Sequence, residues 1–195
     1  MADWSDYYAA LSGREPRPLL RRALEARGDL PPGWAIDLGS GDGTETLALL
    51  VEGWKVTSID VTPASAELIR SRVSPDHRPN LTVQTASFEE AVLGEADLIY
   101  AGYSLPFTDP AAFPEFWARI RAALRPGGVL AVHLFGPNDT WASDPKLTIT
   151  DRVALDGLLD GLEEVAFEET DADGMAVSGP KHWHVFEFVA RRSMG

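Results

Sequence analysis

The sequence predicts a doubly wound α/β fold, a mainly parallel sheet with helices on both faces. Short apolar runs of strand length alternate with segments of helical period along most of the chain. A glycine-rich turn, Gly39-Ser40-Gly41-Asp42-Gly43, joins the first such strand to the next such helix. At 195 residues, 45% of them apolar, the chain can bury one sizeable core and has little room for a second domain. Parallel neighbours need right-handed crossovers, which helices of this length supply.

Composition narrows the function. Lys plus Arg number 17 against 30 Asp plus Glu, a formal charge of −13, which disfavours non-specific binding to nucleic acid phosphates or anionic membranes. With no cysteine, disulfides, thiolate metal sites and a cysteine nucleophile are excluded. The start, MADWSDYYAA, lacks a basic and then apolar leader, and no run approaches the roughly 18 apolar residues of a membrane span. A cytoplasmic protein with small or neutral partners is the expectation.

In chain order, Trp4, Tyr7, Tyr8 and Leu11 share a face of a short helix, which packs on the domain or forms a lid. EPRPLLRRALEARG reads as a helix with Leu19, Leu20, Ala23 and Leu24 inward and Gly28 as its cap. Arg14, Arg17 and Arg21 lie on one helical side, a stripe that reads as a solvated face, with the alternative that Arg14, beside Gly13, reaches a ligand carboxylate. Trp34-Ala35-Ile36 is a strand that breaks at Asp37. Thr44 to Gly53 is a helix, and WKVTSID is a second strand closing at Asp60. Thr62 and Pro63 open the next helix. LTVQT is a third strand, with a short helix expected after Ala86, Ser87 and Phe88.

ADLIYAGY forms a fourth strand that runs out at Ala101, Gly102 and Tyr103. Asp109-Pro110 opens a helix with Phe113, Phe116, Trp117, Ile120 and Leu124 on one face. LRPGG reads as a turn before GVLAVHLFG, whose continuous apolar character suits a strand buried on both faces. Pro137 to Ile149 shows no period, and Asp139 and Trp141 there suit a substrate loop. Thr150 caps a helix through Leu159, and EEVAFEET and HWHVFEFVAR form a closing antiparallel pair around a DADGMAVSGPK loop. The whole reads as one domain: residues 1–28 a helical lid or cap, 34–136 a cofactor-binding core, and 137–195 a substrate-side loop, helix and strand pair.

Ligands of such sheets bind beyond the carboxyl ends of the strands. That directs attention to Asp37, Gly39 to Thr44, Asp60, Ser87 with Phe88, and Ala101 to Tyr103. Glycines allow positive φ and close backbone approach, and a helix start leaves N–H groups free for an acceptor. A nucleotide-like cofactor follows, with Asp60 able to accept both hydroxyls of a ribose and Asp37 able to orient the loop or meet an ammonium group. The bland alternative is that the glycines serve only the turn and Asp60 only precedes a helix. The spacing is G-x-G-x-G, with Thr44 where dinucleotide enzymes carry a third glycine, which tilts against NAD.

AIDLGSGDGTET, SIDVTP, ASFEEA, ADLIYAGYSLPF and LRPGGVLAVHLFG resemble, in order and spacing, the motifs of class I S-adenosylmethionine-dependent methyltransferases. The resemblance spans residues 15 to 136. It implies a Rossmann-like seven-stranded sheet with the last strand antiparallel. It also implies S-adenosyl-L-methionine as cofactor. By its terms Asp37, Gly39, Ser40, Gly41 and Gly43 surround the methionine part and Asp60 holds the ribose. Val61 flanks the adenine, with Ser87 and Phe88 at its edge, where many members carry an acid in place of Ser87. Ala101 ends the fourth strand, and Tyr103 faces the transferable methyl group and orients the acceptor. YYAALSGREPRPLL and KHWH resemble a bacterial subgroup labelled similar to tellurite-resistance and thiol methyltransferases.

A sulfonium methyl group is already electrophilic, so the protein chiefly aligns a nucleophile and excludes water. A general base is required only for an acceptor carrying a proton of high pKa. His133 reads as a buried, hydrogen-bonded core histidine. His182 and His184, with His77, lack acids in metal-ligand spacing, so no metal is expected. The segment Gly102 to Phe107 lacks the Asn/Asp-Pro-Pro-Tyr arrangement of family members that methylate bases or glutamine, which favours a small acceptor. The alternatives are a non-catalytic binder of the same cofactor that works through protein contacts, and an NAD-linked oxidoreductase.

Overall fold

The computed structural model describes residues 13–194. The aromatic stripe of residues 1–12 lies outside them. The elements are α1 (Pro18–Arg27), β1 (Trp34–Leu38), α2 (Thr44–Val51), β2 (Lys55–Asp60), α3 (Pro63–Arg72), β3 (Leu81–Thr85) and β4 (Ala96–Ala101). They continue with α4 (Phe113–Ala123), β5 (Leu124–Phe135), α5 (Arg152–Leu159), β6 (Leu162–Ala176) and β7 (Gly179–Arg192). One seven-stranded sheet runs in the order β3-β2-β1-β4-β5-β7-β6. The first five strands pair in parallel, and β7 inserts antiparallel between β5 and β6.

Side-chain alternation divides the core into two layers. Ile36, Ile99, Leu130, Val132 and Phe188 pack on one face with Phe116, Trp117 and Ile120 of α4. Ala35, Leu98, Val129, Ala131 and Val189 pack on the other with Leu19, Leu20 and Ala23 of α1 and Leu49 and Leu50 of α2. Strands buried on both sides need apolar residues at nearly every position, which is why LAVHLF carries so few polar groups.

Most of the expected elements form, and the differences have local causes. The short helix expected after Phe88 is a turn. Asp109 accepts from the Ala111 N–H at 2.8 Å and closes a turn of its own, so α4 starts only at Phe113. β5 begins at Leu124 rather than after the glycines, because Leu124 pairs with Ala96, and residues 125–128 of β5 then bulge opposite Asp97 before the pairing resumes at Val129 with Leu98. Asp151, not Thr150, caps α5, its carboxylate accepting from the Ala154 N–H at 2.8 Å.

The closing hairpin is longer than its composition suggests. DADGMA continues β6 against β7, from Asp171 opposite His184 to Ala176 opposite Gly179. Asp and Gly disfavour strands, yet here the polar side chains sit on an exposed edge, and a Cβ at Gly174 would press within 3.0 Å of the Trp183 ring. Among the described residues no helix is long and apolar enough to cross a membrane.

Candidate active site

The chain leaves β1 in opposite directions, to β2 and β3 on one side and to β4 and β5 on the other. The carboxyl end of β1 is therefore the switch point of the sheet, the usual ligand position in such folds. The glycine turn lies there. Gly39, Gly41 and Gly43 have φ of 71°, 53° and 79°, values that side-chain-bearing residues seldom adopt. The Gly39 and Ser40 N–H groups donate to the Ile59 carbonyl at 2.8 and 3.0 Å, which ties the turn to the end of β2.

Gly39 and Gly43 also permit close packing. A Cβ at Gly39 would lie 2.2 Å from Ser104 Cβ, and one at Gly43 2.3 Å from Ile69 of α3. Gly43 thus lets α3 approach the turn, a helix-packing task like that of the third glycine in dinucleotide motifs, met here one position earlier. Ser40 is buried, its hydroxyl 3.4 Å from that of Ser65.

Asp60 clasps the turn from the neighbouring strand. Its Oδ2 accepts from the Gly41 N–H at 2.9 Å, and its Oδ1 accepts from the N–H of Thr62 at 2.9 Å and from the Thr62 hydroxyl. A carboxylate is an acceptor-only group, the kind to which the hydroxyls of a ribose donate, and here it also holds the loop. Val61 is 39% exposed beside it, an apolar surface on which a flat base can lie. Ser87 is close in sequence to Ala86, whose N–H donates to the Asp60 carbonyl at 3.0 Å, and Ser87 Oγ accepts from the Glu90 N–H at 3.4 Å. Phe88 stacks on Phe116 at 4.9 Å between centroids, so its ring packs with α4.

Asp37 is buried, with Oδ2 accepting from the Thr46 hydroxyl at 2.6 Å. Burial, followed by the nearby charge of Glu45, pushes its carboxyl up to about 7. Glu45 is itself engaged. Arg14 grips both its oxygens at 2.6 and 2.5 Å, and the Arg17 N–H donates to Oε1 at 3.1 Å. Arg14 therefore anchors the entry to α1 on α2, and the ligand-carboxylate role considered for it is already filled by Glu45.

On the other side of β1, Ala101 ends β4 with its side chain in the core, and Tyr103 follows at φ 61°, a strained value for a tyrosine. Its ring stacks on that of His133 at 3.9 Å, and the Arg17 guanidinium lies 4.9 Å over it. His133 is buried, and its Nε2 lies 2.7 Å from Glu187 Oε2 on β7. Glu187 in turn pairs with Arg22 of α1, which also reaches Glu168 at 2.7 Å. Burial lowers the pKa of His133, and hydrogen bonding to Glu187 opposes this. For Glu187, burial pushes up, and the His133 hydrogen bond with the Arg22 charge brings the carboxyl below its ordinary range.

Next to this pair an aromatic wall surrounds a buried cation. Lys181 Nζ lies 4.9, 4.3 and 3.9 Å from the ring centroids of Phe135, Trp141 and Trp183 and pairs with Asp139. Asp139 also accepts from the Trp141 N–H at 3.0 Å and the His184 N–H at 3.2 Å. Asp139 and Trp141, read from sequence as part of a substrate loop, thus pin the segment after β5 to the start of β7. His182 and His184 bond Asp171, Asp173 and Glu169 across the hairpin, while His77 precedes β3 at the opposite edge of the sheet. Among the described residues no cluster of three or more His, Asp or Glu could hold a metal ion.

The residues missed by sequence reading are Glu187 and Lys181. The available signal was a charge inside an otherwise apolar strand, HVFEFVA, and a lysine bounding a Trp-His run.

Comparisons with known proteins agree with this geometry. A family model described as a methyltransferase domain matches residues 35–128. A trans-aconitate 2-methyltransferase from Deinococcus radiodurans is 32% identical over 120 residues, covering 62% of this chain and 44% of that protein. One from Paracidovorax citrulli is 33% identical over 149 residues, covering 69% and 51%. The chain thus spans about half the length of these relatives. Among solved structures, TehB from Haemophilus influenzae superposes with a TM-score of 0.76 at 16% identity, over 98% of this chain and 68% of that one. The N-methyltransferase NodS from Bradyrhizobium japonicum, in complex with S-adenosyl-L-homocysteine, gives 0.68 at 16% identity, over 96% and 86%. Both similarities are of fold. The domain match covers just under half of the chain, and together with the shared fold it makes the chain similar to methyltransferases.

Proposed function

We propose that the chain transfers the methyl group of S-adenosyl-L-methionine to a small-molecule acceptor by in-line displacement. The observation that carries the reading is the clasp of Asp60 on the Gly41 N–H, which sets a diol acceptor against a glycine turn at the switch point of the sheet. Asp37 and the turn would hold the methionine end, Asp60 the ribose, and Val61 one face of the adenine. The bound sulfonium supplies an electrophilic methyl group. Tyr103, held by its stack on His133, orients the acceptor, and the aromatic wall of Phe135, Trp141 and Trp183 keeps water away.

The charge of −13 and the relatives' names, methyltransferases of trans-aconitate and of 1,6-didemethyltoxoflavin, support a small acceptor. The subgroup resemblance adds tellurite, selenite and thiols to the acceptors worth offering. Calorimetry with S-adenosylhomocysteine and NADH, followed by labelled methyl transfer to a panel containing those acceptors and trans-aconitate, tests the reading. Binding of NADH in place of S-adenosylhomocysteine would overturn it, and tight binding with no transfer to any acceptor would favour the non-catalytic alternative.

One consequence is a proton linkage. In the free protein the Asp37 carboxyl sits at about 7, above its ordinary value, so its contribution to stability is full at acid pH and is lost as the pH rises toward 7. An ammonium group placed beside it lowers that pKa again. S-adenosylhomocysteine binding near pH 7 is therefore expected to release protons and to tighten between pH 6 and about 8. Calorimetry in buffers of different ionisation enthalpy measures the release. Asp37→Asn should abolish it.

A further inference from the structure

We infer that His133 is the general base that takes the proton from the acceptor's nucleophile, with Glu187 as its positioning residue; this rests on the methyl-transfer reading above. One ring nitrogen of His133 is committed and the other is not. Nε2 lies 2.7 Å from Glu187 Oε2, and a carboxylate is an acceptor, so Nε2 carries the hydrogen and Nδ1 carries the lone pair. Nδ1 is buried and has no hydrogen-bond partner among the described residues. A core histidine serving only structure satisfies both nitrogens, since an unpaired buried acceptor costs free energy.

The place is as telling as the tautomer. The His133 ring stacks on Tyr103, which follows the end of β4 with a strained backbone at the switch point of the sheet, the place where the proposed acceptor would enter. The charged groups around the imidazole are Glu187 on β7, with Arg22 of α1 behind it, Arg17 before α1, and Glu45 on α2. Their arrangement keeps the resting ring neutral through burial, and Glu187 stabilises the imidazolium once it forms. This is the division of labour between base and orienting acid used in hydrolytic triads.

In the step, the nucleophile's proton passes to Nδ1 while its electron pair forms the bond to the methyl carbon. The S–CH₃ bond breaks with its pair remaining on sulfur, a neutral thioether leaves, and the imidazolium returns its proton to solvent. A base of this kind has work only if the acceptor arrives protonated. An acceptor that is already an oxyanion would not need it.

Two measurements test this. Nitrogen-15 NMR of histidine-labelled protein bound to S-adenosylhomocysteine should show His133 at pH 7 neutral, protonated on Nε2 and bare on Nδ1. A proton on Nδ1, or a charged ring, overturns the proposal without reference to any acceptor. For turnover, the probes are 2-mercaptoethanol, protonated at neutral pH, and 4-nitrothiophenol, already ionised. His133→Gln should lower kcat on the first by roughly 100-fold or more and on the second only a few-fold, with S-adenosylhomocysteine affinity retained. Equal losses on both overturn it. Glu187→Gln, which spares the base itself, should lower kcat with KM little changed and move the acid limb of the kcat profile to lower pH; an unmoved limb counts against the positioning role. Should the wild type bind S-adenosylhomocysteine yet methylate neither probe, the tautomer alone decides. Failure to bind S-adenosylhomocysteine at all would strike the methyl-transfer reading instead.

Discussion

Asp139→Ala is expected to destabilise the protein by about 3 to 5 kcal/mol, the cost of leaving a buried partner charge uncompensated. Lys181 has almost no exposed side chain, and its three surrounding rings stabilise a cation without neutralising it. The same substitution removes the acceptor for the Trp141 and His184 N–H groups. Urea unfolding of the single variant beside the double variant Asp139→Asn with Lys181→Met separates the two effects. The double variant keeps an acceptor on the loop and places a side chain of lysine-like length among the rings, so it should recover more than half of the loss. Comparable losses in both would show that the loop contacts, and not the ion pair, hold the segment. Either way the aromatic wall should loosen with the loop, because Trp141 leaves its edge contacts with Phe135 and Trp183.

Asp60→Ala is the second large effect. Losing charge-assisted hydrogen bonds to a ribose diol should weaken S-adenosylhomocysteine binding by about 1.5 to 3 kcal/mol, roughly 10- to 150-fold. The clasp adds a complication, since Asp60 also holds the Gly41 and Thr62 N–H groups in the free protein. Asp60→Asn resolves it: the amide keeps one acceptor for the turn while weakening the diol contact. Calorimetry on both variants, with melting temperature of the free proteins recorded in parallel, should show a large affinity loss in each and a stability loss mainly in the alanine variant. Unchanged affinity would remove the ribose from Asp60.

Much of this site is local in the chain. Asp37, Gly39, Gly41, Gly43 and Thr46 fall within one strand, turn and helix, and Asp60 ends the very next strand. Their roles follow from backbone rules acting over a few residues, because positive φ demands glycine and a helix start exposes N–H groups. The hydrophobic periods that define β1 to β5 and α1 to α4 are local as well. Boundaries were less legible where a polar side chain decided them, as at Asp109 and Asp151, or where an edge strand accepts residues that turns also favour, as in DADGMA.

The groups beside the end of β5 are of another kind. Asp139 and Lys181 stand 42 positions apart, His133 and Glu187 stand 54 apart, and Arg22 and Glu187 stand 165 apart. No period relates them. They meet because β7 folds back antiparallel to β5 in a register that sets His133 opposite Glu187, and because α1 crosses the same face. The sequence by itself determined the fold and the glycine turn, since those depend on period and short-range sterics. Tertiary structure alone decided that Arg14 serves Glu45, that Asp139 holds a buried lysine, and that His133 keeps one nitrogen free, since each depends on which strand lies beside which and in what register.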